Sequence, residues 1–420
     1  MIIRCAKAIA AALVLVCEIA SSSVIAQPSP SYSAPSALVI DNTPVDWVFV
    51  FKLNAAGFPT DPASPDRSCS FGGAPQPYAK FSQSYISASS VDPILKNGVG
   101  LVGTSASDPL GATFAAIYTG SLNYVVWNDQ FYEHPDIQGC AESCGGPWGH
   151  SKGVLAWNDL GEGVVLQVTT PSWPAAASST NPRVGDGNTL GCVTDNNVKV
   201  SQDFFALRLT KADVEKVLDA LGNASVVTNI ADPSIVHNGG PLSITAKVSL
   251  LGRRVPNTTP LNVLLSTGVR LISKPSALHV PPWQMVSALL GGVDLRAATW
   301  WAKPNIPSTD HETPIGCWDA SLAAPGAVAI ATSGQWDGKS IGLKGGLPPD
   351  SNHAKLGVST SGKANYTIFG DMNQQGALSG KCESSQNGRG GMFFVVDNAA
   401  LNTSVANLIN GDTAPLATTP

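Results

Sequence analysis

The stretch PWGHSKGVLAW, residues 147–157, sets a histidine and a lysine two positions apart at the head of an apolar run. In a β-strand successive side chains alternate faces, so His150 and Lys152 point one way and Ser151 the other. A second stretch, SNHAKLGVS at 351–359, repeats the arrangement with His353 and Lys355. Three-residue patterns often arise by chance, and the other histidines, His134, His237, His279 and His311, have no such setting. The second occurrence, again heading an apolar run, turns a coincidence into a pair.

Around the first pair, alternating apolar residues predict strands at PVDWVFVFKLN (44–54), NYVVWND (123–129), KGVLAWN (152–158) and GVVLQVTT (163–170), with DLGEG as the hairpin turn between the last two. The segment TKADVEKVLDALGN, 210–223, has a Thr cap and helical spacing of Val214, Val217, Leu218 and Leu221, which predicts a helix. The pattern then begins again. LSITAKVSLLG (242–252) and NVLLSTGVRLISK (262–274) read as strands, WQMVSALLGG (283–292) as a helix and AVAIATSG (327–334) as a strand. YTIFGDMN (366–373) and GGMFFVVDN (390–398) follow the second pair as further strands. One His-x-Lys strand per half points to a diverged internal duplication. The predicted fold is α/β: two halves, 38–230 and 231–412, each a mixed β-sheet flanked by helices, joined about a pseudo-twofold with both pairs in one shared site.

Residues 1–26 read as a secretory signal peptide: Arg4 and Lys7 precede an apolar run from Ala8 to Cys17, and Val24-Ile25-Ala26 offers a cleavage site after Ala26. The apolar core is too short for a membrane span, and no later run of about 18 apolar residues exists. The expectation is a secreted or extracytoplasmic protein with no membrane partner. Residues 27–37, QPSPSYSAPSA, read as a disordered lead-in. The chain has 25 basic and 30 acidic residues, and loss of Arg4, Lys7 and Glu18 with the leader leaves a net charge of about −6, with no basic tail. Six cysteines remain after the leader: Cys69, Cys140, Cys144, Cys192, Cys317 and Cys382. An even number in an exported chain favours disulfides. A zinc site from Cys140, Cys144 and His150 is less expected there, since the usual two-residue gap between cysteines is missing.

The paired residues suit phosphodiester chemistry. A lysine can stabilise the non-bridging oxygens, a neutral imidazole can attack phosphorus, and a protonated imidazole can donate to the leaving oxygen. Two such pairs need neither metal nor cofactor.

The blocks PVDWVFVFKLN, VVWNDQ (125–130), GHSKGVLAW (149–157), SNHAKLGVS, GDMNQQ (370–375) and RGG (389–391) together resemble the deoxyribonuclease II family, acid endonucleases of the phospholipase D-like superfamily. They occur in family order across most of the chain. The resemblance implies catalytic roles for His150, Lys152, His353 and Lys355, and for Asn373, whose amide would bind a phosphate oxygen. It implies a DNA substrate, cleaved without a metal to 3′-phosphate and 5′-hydroxyl ends through a phosphohistidine. In the first half Ser172 of TPSWP stands where relatives usually carry asparagine, as a substrate-binding candidate, and Gln167, Val168 and Thr169 occupy the strand where many relatives place a further histidine. Lys52 and Asp129 lie in shared blocks and read as structural. The family also implies a disulfide between Cys317 and Cys382; the other four cysteines allow three pairings. Two other readings share these residues: a secreted phosphodiesterase acting on another substrate, and a non-catalytic DNA-binding relative. A homodimer would enlarge the DNA groove, though nothing in the sequence requires one.

Overall fold

The computed structural model describes residues 34–39, 42–58, 84–100, 102, 108–118, 122–131, 144–171 and 199–418. The expected signal peptide and its cleavage site, most of the lead-in, His134, Ser172, Cys69, Cys140 and Cys192 lie outside the described residues. Of the lead-in, residues 34–37 are described, and Ala37 is buried at the start of a short strand.

In chain order the first elements are β1 (Ala37–Leu38), β2 (Pro44–Val45), β3 (Trp47–Lys52), β4 (Tyr85–Ser89), β5 (Asp92–Asn97) and α1 (Pro109–Tyr118). β6 (Asn123–Asn128), β7 (Lys152–Trp157), β8 (Gly163–Val168), β9 (Gln202–Leu209), α2 (Lys211–Asn223) and β10 (Val236–His237) follow. Next come α3 (Leu242–Val248), β11 (Leu261–Leu264), β12 (Arg270–Lys274), α4 (Pro282–Leu289), β13 (Leu295–Ala298) and β14 (Val328–Ile330). A hairpin of β15 (Ser333–Trp336) and β16 (Lys339–Gly342) precedes β17 (Leu356–Ser359), β18 (Tyr366–Gly370), β19 (Gly391–Asp397) and α5 (Ala399–Leu408). From Ala34 onward the chain forms one compact unit.

Two large sheets carry the fold, in strand orders β10-β6-β7-β8-β9-β3-β4-β5 and β11-β12-β19-β18-β17-β13-β14. Within them, β6-β7-β8-β9-β3 and β13-β17-β18-β19-β12 are runs of five strands with every neighbour antiparallel. The strands are short apolar runs because both faces are covered: every residue of β3, β7 and β8 is buried. The sheets meet through aromatic rings, Phe49 of β3 stacking on Phe369 of β18 at 4.3 Å and Phe205 of β9 at 4.6 Å from the same ring. Each such pair contributes about 0.5–1.5 kcal/mol beyond its area burial. The described strand pairs of the first sheet are all antiparallel, so the expectation of a mixed sheet is corrected for the first half; the second sheet is mixed, since β13 pairs with β14 in parallel. Tight hairpins cause this, as between β7 and β8, where Gly161 adopts φ +87° and donates to the Asn158 carbonyl.

The helix at 211–223 forms as expected, with a capping box in which Thr210 accepts from the Asp213 N–H. The expectation of a strand at 242–252 is corrected. Residues Leu242–Val248 are helix α3, which buries Ile244 and Val248, four positions apart, and leaves Leu242 87% exposed. The alternation of Leu242 and Ile244 imitates a strand, while the contact-forming pair has helical spacing. The segment at 327–334 contains the strand β14 and the start of β15. The Cys317–Cys382 disulfide is present. Among the described residues no helix is long and apolar enough to cross a membrane.

Candidate active site

Both His-x-Lys motifs sit at strand entrances rather than inside strands. Lys152 is the first residue of β7, with His150 in the approach to it, and Lys355 immediately precedes β17. The four side chains are nearly or fully buried: His150 and His353 keep 7% and 6% exposure, and Lys152 and Lys355 keep 1% and none.

Each motif is held by the opposite sheet. The His150 N–H donates to the Gly390 carbonyl at 2.8 Å, just before β19, and the His353 N–H donates to the Ser201 carbonyl at 2.8 Å, just before β9. The rings follow the same rule. His150 Nδ1 lies 2.6 Å from the main-chain carbonyl of Asp371, which follows β18. The main-chain carbonyl of Thr169, which follows β8, sits where it favours the protonated His353 ring. A carbonyl can only accept, so Nδ1 of His150 carries the proton and Nε2 of a neutral ring is left with its lone pair. Glycine permits the close approach at His150. A Cβ on Gly149 would lie 2.7 Å, and one on Gly390 2.0 Å, from the main-chain oxygen of Ala224 at the end of α2.

The cations are arranged less symmetrically. Lys152 Nζ donates to Asp129 Oδ1 at 2.5 Å, and Arg389 Nη2 donates to Asp129 Oδ2 at 2.8 Å. Arg389 also donates to the carbonyls of Trp148 (3.0 Å) and Gly149 (2.9 Å), the two residues before His150. Lys355 bonds its own motif instead: Nζ lies 2.9 Å from His353 Nδ1 and donates to the His353 carbonyl. Its main-chain N–H donates to Asp203 Oδ1 at 2.7 Å, again across the sheets. Trp300 packs edge-on against the His353 ring at 4.8 Å.

Burial and these neighbours set the protonation states. Burial and then the Lys152 ammonium hold His150 well below the usual imidazole range, against the pull of Asp129. Burial, Lys355, Lys152 and His150 do the same to His353. Each histidine thus feels the lysine of the other motif, so the motifs share one electrostatic site. Burial alone would raise Asp129, but Lys152, His150 and Arg389 together hold it well below the carboxylate range. Lys355 is pushed well below its ordinary value by burial and by Lys152. Asp371 and Asp203 are each raised to about 7, principally by burial. The site at neutral pH therefore presents neutral imidazoles among cations, an arrangement suited to an anion.

Asn373 lies beyond β18, its Nδ2 donating 2.9 Å to Gln375 Oε1 and its main-chain N–H donating to Gln386 Oε1. Among the described residues the second Nδ2 hydrogen has no acceptor, and Oδ1 is buried without a partner. Gln167, in the strand where the resemblance places a further histidine, reaches the Met392 carbonyl at 3.2 Å. Cys144 is disulfide-bonded, which removes it as a thiolate ligand beside His150. Three acidic residues of the site, Asp129, Asp203 and Asp371, carry contacts the sequence reading did not assign. Asp129 had a usable signal: it follows Asn128, the register partner of Lys152. A cavity of about 520 Å³ adjoins the site, with Gly146, His279, Gln386 and Arg389 among its walls.

The Deoxyribonuclease II family model matches residues 38–236, the part that contains His150, Lys152 and Asp129 but not the second motif. No curated protein matches the chain.

Proposed function

The chain belongs to the deoxyribonuclease II family, and from that premise we propose that it is a secreted, metal-independent acid endonuclease that cleaves DNA to 3′-phosphate and 5′-hydroxyl ends through a phosphohistidine. The family implies a nuclease hydrolase with DNA as substrate; the mechanism, products and location are our reading. The observation that carries it is the convergence of His150, Lys152, His353 and Lys355 on one buried site, each histidine tied by its N–H to the opposite sheet. We further propose that the halves are related by a pseudo-twofold of the phospholipase D-like kind. The matching five-strand runs support this, as do the equivalent places of Gly390 and Asp371 about His150 and of Ser201 and Thr169 about His353.

In the proposed reaction Nε2 of His150 attacks phosphorus while Lys355, Lys152 and the free Nδ2 hydrogen of Asn373 face the non-bridging oxygens. The bond from phosphorus to O5′ breaks, and His353, protonated in the presence of the phosphodiester anion, gives its proton to that oxygen. Water then attacks the 3′-phosphoryl group, His353 takes its proton, and the bond to Nε2 breaks. His150 needs no proton, whereas His353 must gain one despite its lowered pKa. The rate profile is accordingly bell-shaped with its maximum on the acid side.

Folding energetics agree with acid operation in part. Asp203 and Asp371 have folded pKa values near 7, above the ordinary 3.8, so their contribution to stability is full below about pH 4 and is lost as pH rises through 7. The depressed histidines oppose this, costing stability as pH falls through about 6.5. The test is alkaline quench of the His353→Ala variant reacting with thymidine 3′-(4-nitrophenyl phosphate), whose leaving group departs without a proton. A 3′-phosphoryl adduct mapped to His150 is expected, and an adduct on any other residue overturns the assignment.

A further inference from the structure

Two lysines outside the His-x-Lys motifs, Lys52 and Lys274, are fully buried. They occupy equivalent places, each the last residue of the strand beside β9 or β19. Lys52 Nζ donates to the carbonyls of Leu53 (3.1 Å) and Val200 (2.8 Å). Lys274 Nζ donates to those of Pro275 (3.3 Å), Leu278 (2.5 Å), Asn387 (2.8 Å) and Arg389 (2.9 Å). In both sheets the ammonium therefore grips the next residue's carbonyl and a carbonyl two residues before the central strand. The peptide immediately after that second contact supplies the carbonyl that holds a catalytic histidine: Ser201 follows Val200 and accepts from His353, and Gly390 follows Arg389 and accepts from His150.

A buried ammonium carries a desolvation penalty that an apolar side chain of similar length would avoid. An ammonium nevertheless stands at both equivalent points. Gathering carbonyls around a charge fixes the direction of the peptide between them, which the histidines need, because a displacement of about 1 Å can cost about 10²-fold in rate. Burial lowers Lys274 to about 7, so it carries its charge on the acid side.

We propose that Lys52 and Lys274 are paired positioning residues: Lys274 sets His150 through the Arg389 and Gly390 carbonyls, and Lys52 sets His353 through those of Val200 and Ser201. This rests on the two-histidine reaction above, in which neither lysine touches substrate.

The test compares Lys274→Met and Lys52→Met on plasmid DNA and on thymidine 3′-(4-nitrophenyl phosphate), where the first release of nitrophenolate needs His150 but no acid. Lys274→Met is expected to lower both rates about 10²-fold. Lys52→Met is expected to lower kcat on DNA by about 10²-fold while the first nitrophenolate release stays within about 3-fold, with KM little changed in both variants. Equal losses on the two substrates in Lys52→Met, losses carried by KM, or wild-type rates overturn the proposal. If a methionine variant does not fold, Lys52→Arg and Lys274→Arg, which keep the charge but misplace it, carry the same comparison. His150→Ala separates the failures: if it cleaves DNA normally the two-histidine reaction is wrong, and if it is inactive while the lysine variants are unaffected only the positioning role is wrong.

Discussion

His150→Ala is expected to lose DNA cleavage by on the order of 10⁴- to 10⁶-fold, the range for removing a nucleophile that acts as part of a unit. The ring has one hydrogen-bonding partner that fixes its tautomer, the Asp371 carbonyl, which leaves Nε2 with its lone pair. Stability should change little. The ring is neutral, so its loss removes one hydrogen bond, about 1 kcal/mol, and leaves no charge stranded. His353→Ala should be less severe, about 10²- to 10⁴-fold on DNA, because water can replace a missing acid in part. Steady-state rates beside thermal melting check both, and a His150→Ala protein retaining more than about a tenth of the wild-type rate would contradict the assignment.

The second large effect belongs to Asp129. It is fully buried, and its two oxygens accept from Lys152 and Arg389. Asp129→Ala strands two buried cations and is expected to cost about 3–5 kcal/mol of stability together with nearly all activity. The sign with pH is defined. A carboxylate whose folded pKa is depressed contributes stability that is fully present above about pH 4 and lost as pH falls through the folded value. The Asp129 cluster thus survives mildly acidic conditions, and Asp129→Ala should remove that contribution throughout the working range. Because the loss comes from unpaired charge, a double variant of Asp129→Asn with Arg389→Gln should melt higher than Asp129→Asn alone. If instead the second substitution lowers the melting temperature further, the cluster is not balanced as described.

The site was legible where chemistry resides in side chains at fixed spacing. His150, Lys152, His353 and Lys355 stand out because one pattern occurs twice before apolar runs, and helix 211–223 because the Thr210 cap and four apolar residues agree on one period. What remained hidden is carried by the main chain. The carbonyls of Gly390, Ser201, Asp371 and Thr169 orient the histidines, and a carbonyl has no signature in sequence. Asp203 was equally silent, since its acceptor role toward the Lys355 N–H exists only once the sheets pack together. At 242–248 local alternation outweighed a single helical pair, which is the ordinary ambiguity of short apolar segments. Lys274 at a strand end carries no signal of its own in the sequence; burial places it among four carbonyls.

The most direct measurement is nicking of supercoiled plasmid by the protein in excess EDTA across the acid to neutral range. The account predicts cleavage without metal, a bell-shaped profile peaking below neutrality, and 3′-phosphate ends that block polymerase extension until dephosphorylated. Cleavage only after a divalent metal is restored, or a rate that climbs steadily into alkaline pH, would contradict the two-histidine mechanism.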